Sequence, residues 1–146
     1  MIKGKRPQRL RATEYEALAE FRYQLRRFLR HMEERTRERG VNPQQYQLLL
    51  ALKGLPEGDS PTIGCLAKRM QLNHNSTVEL VDRCQRRGLL RRGRSSNDRR
   101  QVTLSITPQG EALLCSLGSA AREEVRERGP SLVKAVHRLT RRRAIR

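Results

Sequence analysis

The stretch GLLRRGRSSNDRRQVTLSITPQG, residues 88–110, decides the fold. Leu89 and Leu90 open a rising strand. Val102, Leu104 and Ile106 alternate with Thr103 and Ser105 in a returning one, the period-two pattern of a half-buried strand. Between them Gly93, Ser95, Ser96, Asn97 and Asp98 supply turn chemistry, and Arg91, Arg92, Arg94, Arg99 and Arg100 crowd the projecting end. Thr107 reads as an N-cap with Pro108 at the first helical position, so a long helix starts there. A short cationic hairpin tied to a capped helix is the outline of a DNA-binding wing.

The segment before the hairpin completes that outline. Thr62 starts a helix with Ile63, Leu66, Ala67 and Met70 on one face, and a turn through Gln71, Leu72 and Asn73 leads into HNSTVELVDRCQRRG. In that second helix Thr77, Leu80, Val81 and Cys84 form an i, i+3, i+4, i+7 stripe. Its other face carries Asn75, Glu79, Asp82, Arg83 and Arg86. Two short helices with a tight turn, the second polar and cationic outside, make a helix-turn-helix. With the hairpin, the unit is a winged helix.

Helices flank it on both sides. Thr13 is placed to cap a long helix with Glu14 and Glu16 in its first turn and a stripe of Leu18, Phe21, Leu25, Phe28, Leu29 and Met32, stopped at Gly40. Asn42 and Pro43 begin a short helix in which Tyr46, Leu48, Leu49, Leu50 and Leu52 are apolar on most sides, and PEGDSP at 56–61 breaks the pattern. From Pro108 a helix is expected to about Arg128, with Leu113, Leu117 and Ala121 apolar. Gly129 and Pro130 are expected to interrupt it before a last amphipathic helix carrying Leu132, Val133, Val136 and Leu139. The fold class is therefore mainly α with a small β-wing, in one domain over 1–146. A winged helix-turn-helix lobe spans 42–106, dimerisation helices span 12–40 and 108–146, and residues 1–11 form a basic arm.

Charge is concentrated on particular segments. The 146 residues carry 32 Lys+Arg against 15 Asp+Glu, a formal net charge of +17. Residues 1–11, 74–100 and 138–146 each hold +5, which leaves only +2 for the remaining 99. Such clumping fits a protein that lays chosen elements on a polyanion. No segment has the apolar length of a membrane span or of an interfacial anchor, and no signal peptide is evident, so a cytoplasmic protein without a membrane partner is expected. Cys65, Cys84 and Cys115 are widely spaced and odd in number, which indicates neither a disulfide framework nor a metal site. No paired carboxylates, phosphate loop or nucleophile elbow point to an enzyme, and no cofactor is implied.

The order of elements resembles the MarR family of bacterial regulators. The resemblance is carried by NPQQYQLLLAL (42–52), TIGCLAKRM (62–70), NSTVELVDRCQRRGLLRR (75–92) and NDRRQVTLSITPQG (97–110). The pattern DRR…L.IT..G after a helix-turn-helix is more specific than a helix-turn-helix alone. The resemblance implies a homodimer that binds double-stranded DNA at a pseudo-palindromic operator and responds to a small aromatic effector or an oxidant. The expected function is a dimeric, sequence-specific transcriptional regulator, a repressor released by a small ligand. The alternative is a nonspecific architectural nucleic-acid binder, for which the charge alone would suffice, although the interleaved aromatics of an RNA-stacking platform are missing.

Roles then attach to residues. The N-terminal end of a recognition helix enters the major groove, which puts His74, Asn75, Ser76 and Thr77 at base edges or phosphates; Thr77 also lies on the apolar stripe. Glu79 departs from the basic or neutral residue usual in the family and either accepts from a cytosine amino group or repels phosphate. Arg83, Arg86 and Arg87 face phosphate or serve i, i+4 pairs such as Asp82 with Arg86. In the wing, Asn97 joins the interface, Arg94, Arg99 and Arg100 are candidates for the minor groove, and Asp98 orients one of these arginines. Lys3, Lys5, Arg6, Arg9 and Arg11, with Arg141–Arg143, either track the DNA backbone or serve as solubilising ends.

A ligand pocket of the MarR type would draw on Arg22, Tyr23, Arg26, His31 and Tyr46. Each also has a plain structural reading: core for Tyr46, ion pairs for the arginines. Cys84 and Cys115 read as small hydrophobes in or near the core. Cys65, third after the Thr62 cap, stands where a helix N-terminus favours a thiolate.

Overall fold

A computed structural model describes residues 7–141. In chain order the elements are α1 (Ala12–Glu38), α2 (Pro43–Lys53), α3 (Ile63–Met70), α4 (His74–Arg86), β1 (Leu90–Arg94), β2 (Val102–Ile106) and α5 (Pro108–Thr140). The mainly helical class with one antiparallel hairpin agrees with the expectation from sequence. The chain divides into two compact units, Glu33–Ala121 and a second in which the segment through Met32 joins the segment from Arg122 onward.

The Glu33–Ala121 unit is built around one apolar cluster. Leu48, Leu49, Leu66, Val81 and Cys84 are fully buried, and Tyr46, Leu80, Leu89, Leu90, Leu104, Leu114 and Leu117 close round them. Leu50 is the exception on α2, because its side of the helix faces solvent. Each helix start has a chemical reason. The Asn42 side chain accepts from the amides of Gln44 and Gln45, and Thr62 accepts the Cys65 amide at 3.2 Å. Asn73 accepts the Ser76 amide at 2.7 Å. These caps satisfy donors that a helix leaves unpaired in its first turn. The turn between α3 and α4 passes through Gln71 in the left-handed region, φ 54°, where its backbone N–H caps the carbonyls ending α3.

The hairpin pairs Leu90 with Ile106, Arg92 with Leu104 and Arg94 with Val102. Leu90 and Leu104 are buried at its base, whereas Val102 is exposed: the alternation is present, but the strands leave the core before they reach it. The Leu104 amide donates to the Pro61 carbonyl at 2.8 Å, which occupies that donor on the outer edge of β2. Thr107 caps α5 as its position predicts, accepting the Gly110 amide at 3.1 Å. Its hydroxyl also donates to the Gly88 carbonyl at 2.5 Å.

Three expectations about the helices are corrected. α1 begins one residue before Thr13, with the Glu14 carboxylate accepting the Arg11 amide at 2.7 Å in place of a threonine cap. α5 does not stop at Gly129-Pro130 but runs 33 residues with Pro130 inside it. A proline there removes one helical hydrogen bond and crowds the carbonyl four residues back, a local cost of roughly 3 kcal/mol, and the flanking turns continue the helix through it. Cys115 lies on the exposed side of α5, because Leu114 and Leu117 take the core-facing positions. In the terminal unit Ala17 and Ala135 are buried, Glu124 is buried and held by Arg128 at 2.5 Å, and Arg138 faces Glu16 at 3.8 Å.

Candidate nucleic-acid interface

The first turn of α4 and the tip of the hairpin are the exposed polar parts of the Glu33–Ala121 unit that the sequence singled out. Asn73, held outside the helix by its capping bond, delivers His74 and Asn75 to the surface, with Ser76 half-buried behind them. Glu79 and Arg83 continue along the exposed side. Thr77 is placed otherwise: it is fully buried, and its hydroxyl donates to the Asn73 carbonyl at 2.8 Å, which leaves it no face for a base. The same bond secures the capping turn.

The wing tip is an ordered loop. The Ser95 amide donates to the Gln101 carbonyl at 3.0 Å, and the Gln101 amide to the Asp98 carbonyl at 3.1 Å. The Asn97 amide reaches the Ser95 hydroxyl at 3.3 Å. Asp98 accepts the Arg100 backbone amide at 2.9 Å, so it orients that arginine through the main chain and not through its guanidinium. Arg94 folds back to donate to the Arg99 carbonyl at 3.2 Å. The side chains of Arg91, Arg99 and Arg100 are exposed and make no hydrogen bond or ion pair among the described residues. Three cationic groups thus stand in solvent on a hairpin closed by its own backbone bonds.

Asp82 does not pair with Arg86. The Arg86 Nε approaches the Asp82 backbone carbonyl at 3.4 Å, while the Asp82 carboxylate takes the Arg92 guanidinium of β1 at 2.6 Å. The same guanidinium donates to Gln85 Oε1. Arg92, counted from sequence among the arginines of the projecting end, is instead half-buried and turned toward α4. The available signal was phase: in a period-two strand Arg92 falls in step with Leu90, on the inward face, while Arg91 points outward. Arg87 is likewise engaged, donating to Gln45 Oε1 at 2.9 Å.

The pocket candidates fall in separate units. Tyr46 lies in the core of Glu33–Ala121, where burial raises its pKa. Arg22, Tyr23 and Arg26 are exposed on the part of α1 that belongs to the terminal unit, and His31 there is half-buried. Cys84 is fully buried, and burial pushes its thiol up to about 11, with Arg87 opposing. Cys65 is half-buried at the start of α3. No group of three or more metal-binding side chains occurs among the described residues. Lys3, Lys5, Arg6, Arg142 and Arg143 lie outside the described residues; Arg9, Arg11 and Arg141 are exposed.

The model of the MarR family matches residues 39–101, from the end of α1 to the far side of the wing loop. Over this segment the chain is similar to the MarR family. The uncharacterized HTH-type transcriptional regulator YsmB of Bacillus subtilis is 31% identical over 87 residues, 60% of this chain and 58% of that protein. The chain thus spans less than two thirds of the length of that curated relative. Among solved structures, AbsC, a MarR family transcriptional regulator from Streptomyces coelicolor, aligns with a TM-score of 0.73 at 21% identity, covering 84% of this chain and 82% of the other. MepR of S. aureus, solved in complex with DNA, aligns at 0.60 and 16% identity, with 82% of each chain covered. The MarR-type winged helix is the fold these likenesses share with Glu33–Ala121. No helix among the described residues is long and apolar enough to cross a membrane.

Proposed function

We propose that this chain is a transcriptional regulator of the MarR type that binds double-stranded DNA as a homodimer. The carrying observation is the pairing, on one compact unit, of a polar helix start at His74, Asn75 and Ser76 with a self-braced hairpin that holds Arg91, Arg99 and Arg100 in solvent. A helix N-terminus fits the major groove and arginines fit the negative potential of a narrow minor groove. MepR, whose fold aligns with that of this chain, was solved on DNA.

Dimerisation is assigned to the terminal unit. Leu18, Tyr23, Leu29, Val125, Val133 and Val136 are exposed there, more apolar surface than two solvated helices account for. A two-fold pair of winged helices reads half-sites about one helical turn apart, hence a pseudo-palindromic operator. A dimer seated across a promoter blocks polymerase, so the expected sign is repression. Release by a small aromatic ligand follows the family likeness.

Replacing both Arg99 and Arg100 by alanine tests the reading. Affinity for the preferred duplex falls at least tenfold while sedimentation shows an unchanged dimer. Unaltered affinity removes the wing from the interface, and a monomeric wild type removes the dimer.

A further inference from the structure

Arg92 joins the recognition helix to the wing. Its guanidinium donates through Nη2 to Asp82 Oδ1 at 2.6 Å and through Nη1 to Gln85 Oε1. Asp82 and Gln85 are three residues apart on α4 and therefore neighbours on one side of it. The planar fork of an arginine fixes direction as well as distance, so β1 is held against α4 at a set angle. Beyond Arg92 the hairpin carries Arg94, Arg99 and Arg100 outward. A small rotation at its base becomes a larger displacement at its tip.

Resting on the DNA-binding reading above, we propose that Arg92 is a positioning residue for sequence recognition: it sets the angle between the α4 reading face and the wing and does not itself hold DNA. Two observations support this division of labour. Arg92 is in phase with the buried Leu90 and Leu104, and its partners occupy its guanidinium, whereas Arg91, Arg99 and Arg100 face solvent. The pair is also partly exposed, with side chains 30% and 45% accessible, and such pairs add little to stability. Its geometry is therefore the contribution to look for. Pairing also screens the Asp82 carboxylate, which would otherwise present a bare negative charge on the helix that approaches phosphate.

The test uses the full chain and the duplex that wild type enriches most from a randomised library, measured against a scrambled duplex over a salt series. The variants are Arg92→Gln, Asp82→Asn and the swap Asp82→Arg with Arg92→Asp. Each single variant is expected to lower the ratio of specific to scrambled affinity about tenfold. The salt slope on scrambled DNA stays unchanged, and melting stays near wild type. The swap recovers at least part of the ratio. Equal loss on both duplexes with a slope reduced by about one per subunit makes Arg92 a phosphate contact and overturns the proposal. An unchanged ratio in both single variants also overturns it, and Asp82→Asn keeps that outcome readable if Arg92→Gln unfolds. If wild type enriches no sequence at all, the regulator reading fails first, and this inference with it.

Discussion

Gly110 and Leu89 are in direct backbone contact: a β-carbon at position 110 would stand 2.2 Å from the Leu89 carbonyl oxygen and 2.7 Å from Ile106 Cγ2. The first turn of α5 is thereby pressed against the base of the hairpin, where Thr107 ties Gly88 to the helix start. The threonine and the glycine of the LSITPQG segment serve this one junction. Gly110→Ala forces main chain apart, and overpacking of this kind costs about 1–3 kcal/mol or more. Urea unfolding of the variant should show a loss of at least about 2 kcal/mol; a wild-type midpoint would mean that the junction is loose.

Asn73 organises the start of α4 through its bond to the Ser76 amide. Asn73→Ala should cost about 1 kcal/mol and raise amide exchange at His74, Asn75 and Ser76. DNA affinity should fall further than global stability does, because the frayed turn is the reading end in the proposed binding mode. Equal exchange rates in the two proteins would contradict the cap.

Pro130 sits in the middle of α5 without ending it. Pro130→Ala restores a helical donor and removes the clash with the preceding turn, so it should raise stability by about 1–3 kcal/mol. Circular dichroism melting reads this directly. A destabilised variant would mean that the helix requires a bend there.

Cys84 gives a pH dependence with a definite sign. Its thiol pKa is raised from 9.0 to about 11 by burial, so the folded state keeps the proton that the unfolded state releases. Stability from this group is complete below the unfolded pKa and declines as pH rises through that window. The loss is on the order of 2 kcal/mol by about pH 10.5. Tyr46, also raised by burial, acts in the same direction. Denaturation midpoints of wild type and Cys84→Ala between pH 8 and 10.5 should diverge in slope, the variant being flatter. On intact protein iodoacetamide should label the exposed Cys115 and spare Cys84. Parallel slopes, or labelling of Cys84 in the folded state, would contradict its burial.

The sequence was most legible where a local rule has a single outcome. The stripe Thr77, Leu80, Val81, Cys84 is buried as its spacing requires, and Thr107-Pro108 starts α5 as capping chemistry requires. It was less legible where distant elements compete for one side chain. Asp82 has Arg86 within helical reach, yet takes Arg92, which becomes available only once β1 has folded back on α4. Val102 alternates correctly and is still exposed, because how far a strand extends beyond the core is not written in its period. Pro130 misled for a related reason: a breaker states a local cost, and the turns on either side of it decide whether the helix continues. Of the residues proposed for the interface, His74, Asn75, Arg99 and Arg100 are exposed, while Thr77 is claimed by the core.

The central claim is sequence-specific binding by the winged helix. Its most direct test is a salt series of binding to DNA from upstream of the protein's own gene against a scrambled duplex of equal length. Specific affinity should exceed nonspecific by roughly 10³-fold or more, with both falling steeply as salt rises. Equal affinity for the two duplexes at every salt concentration would contradict the regulator and leave a nonspecific nucleic-acid binder in its place.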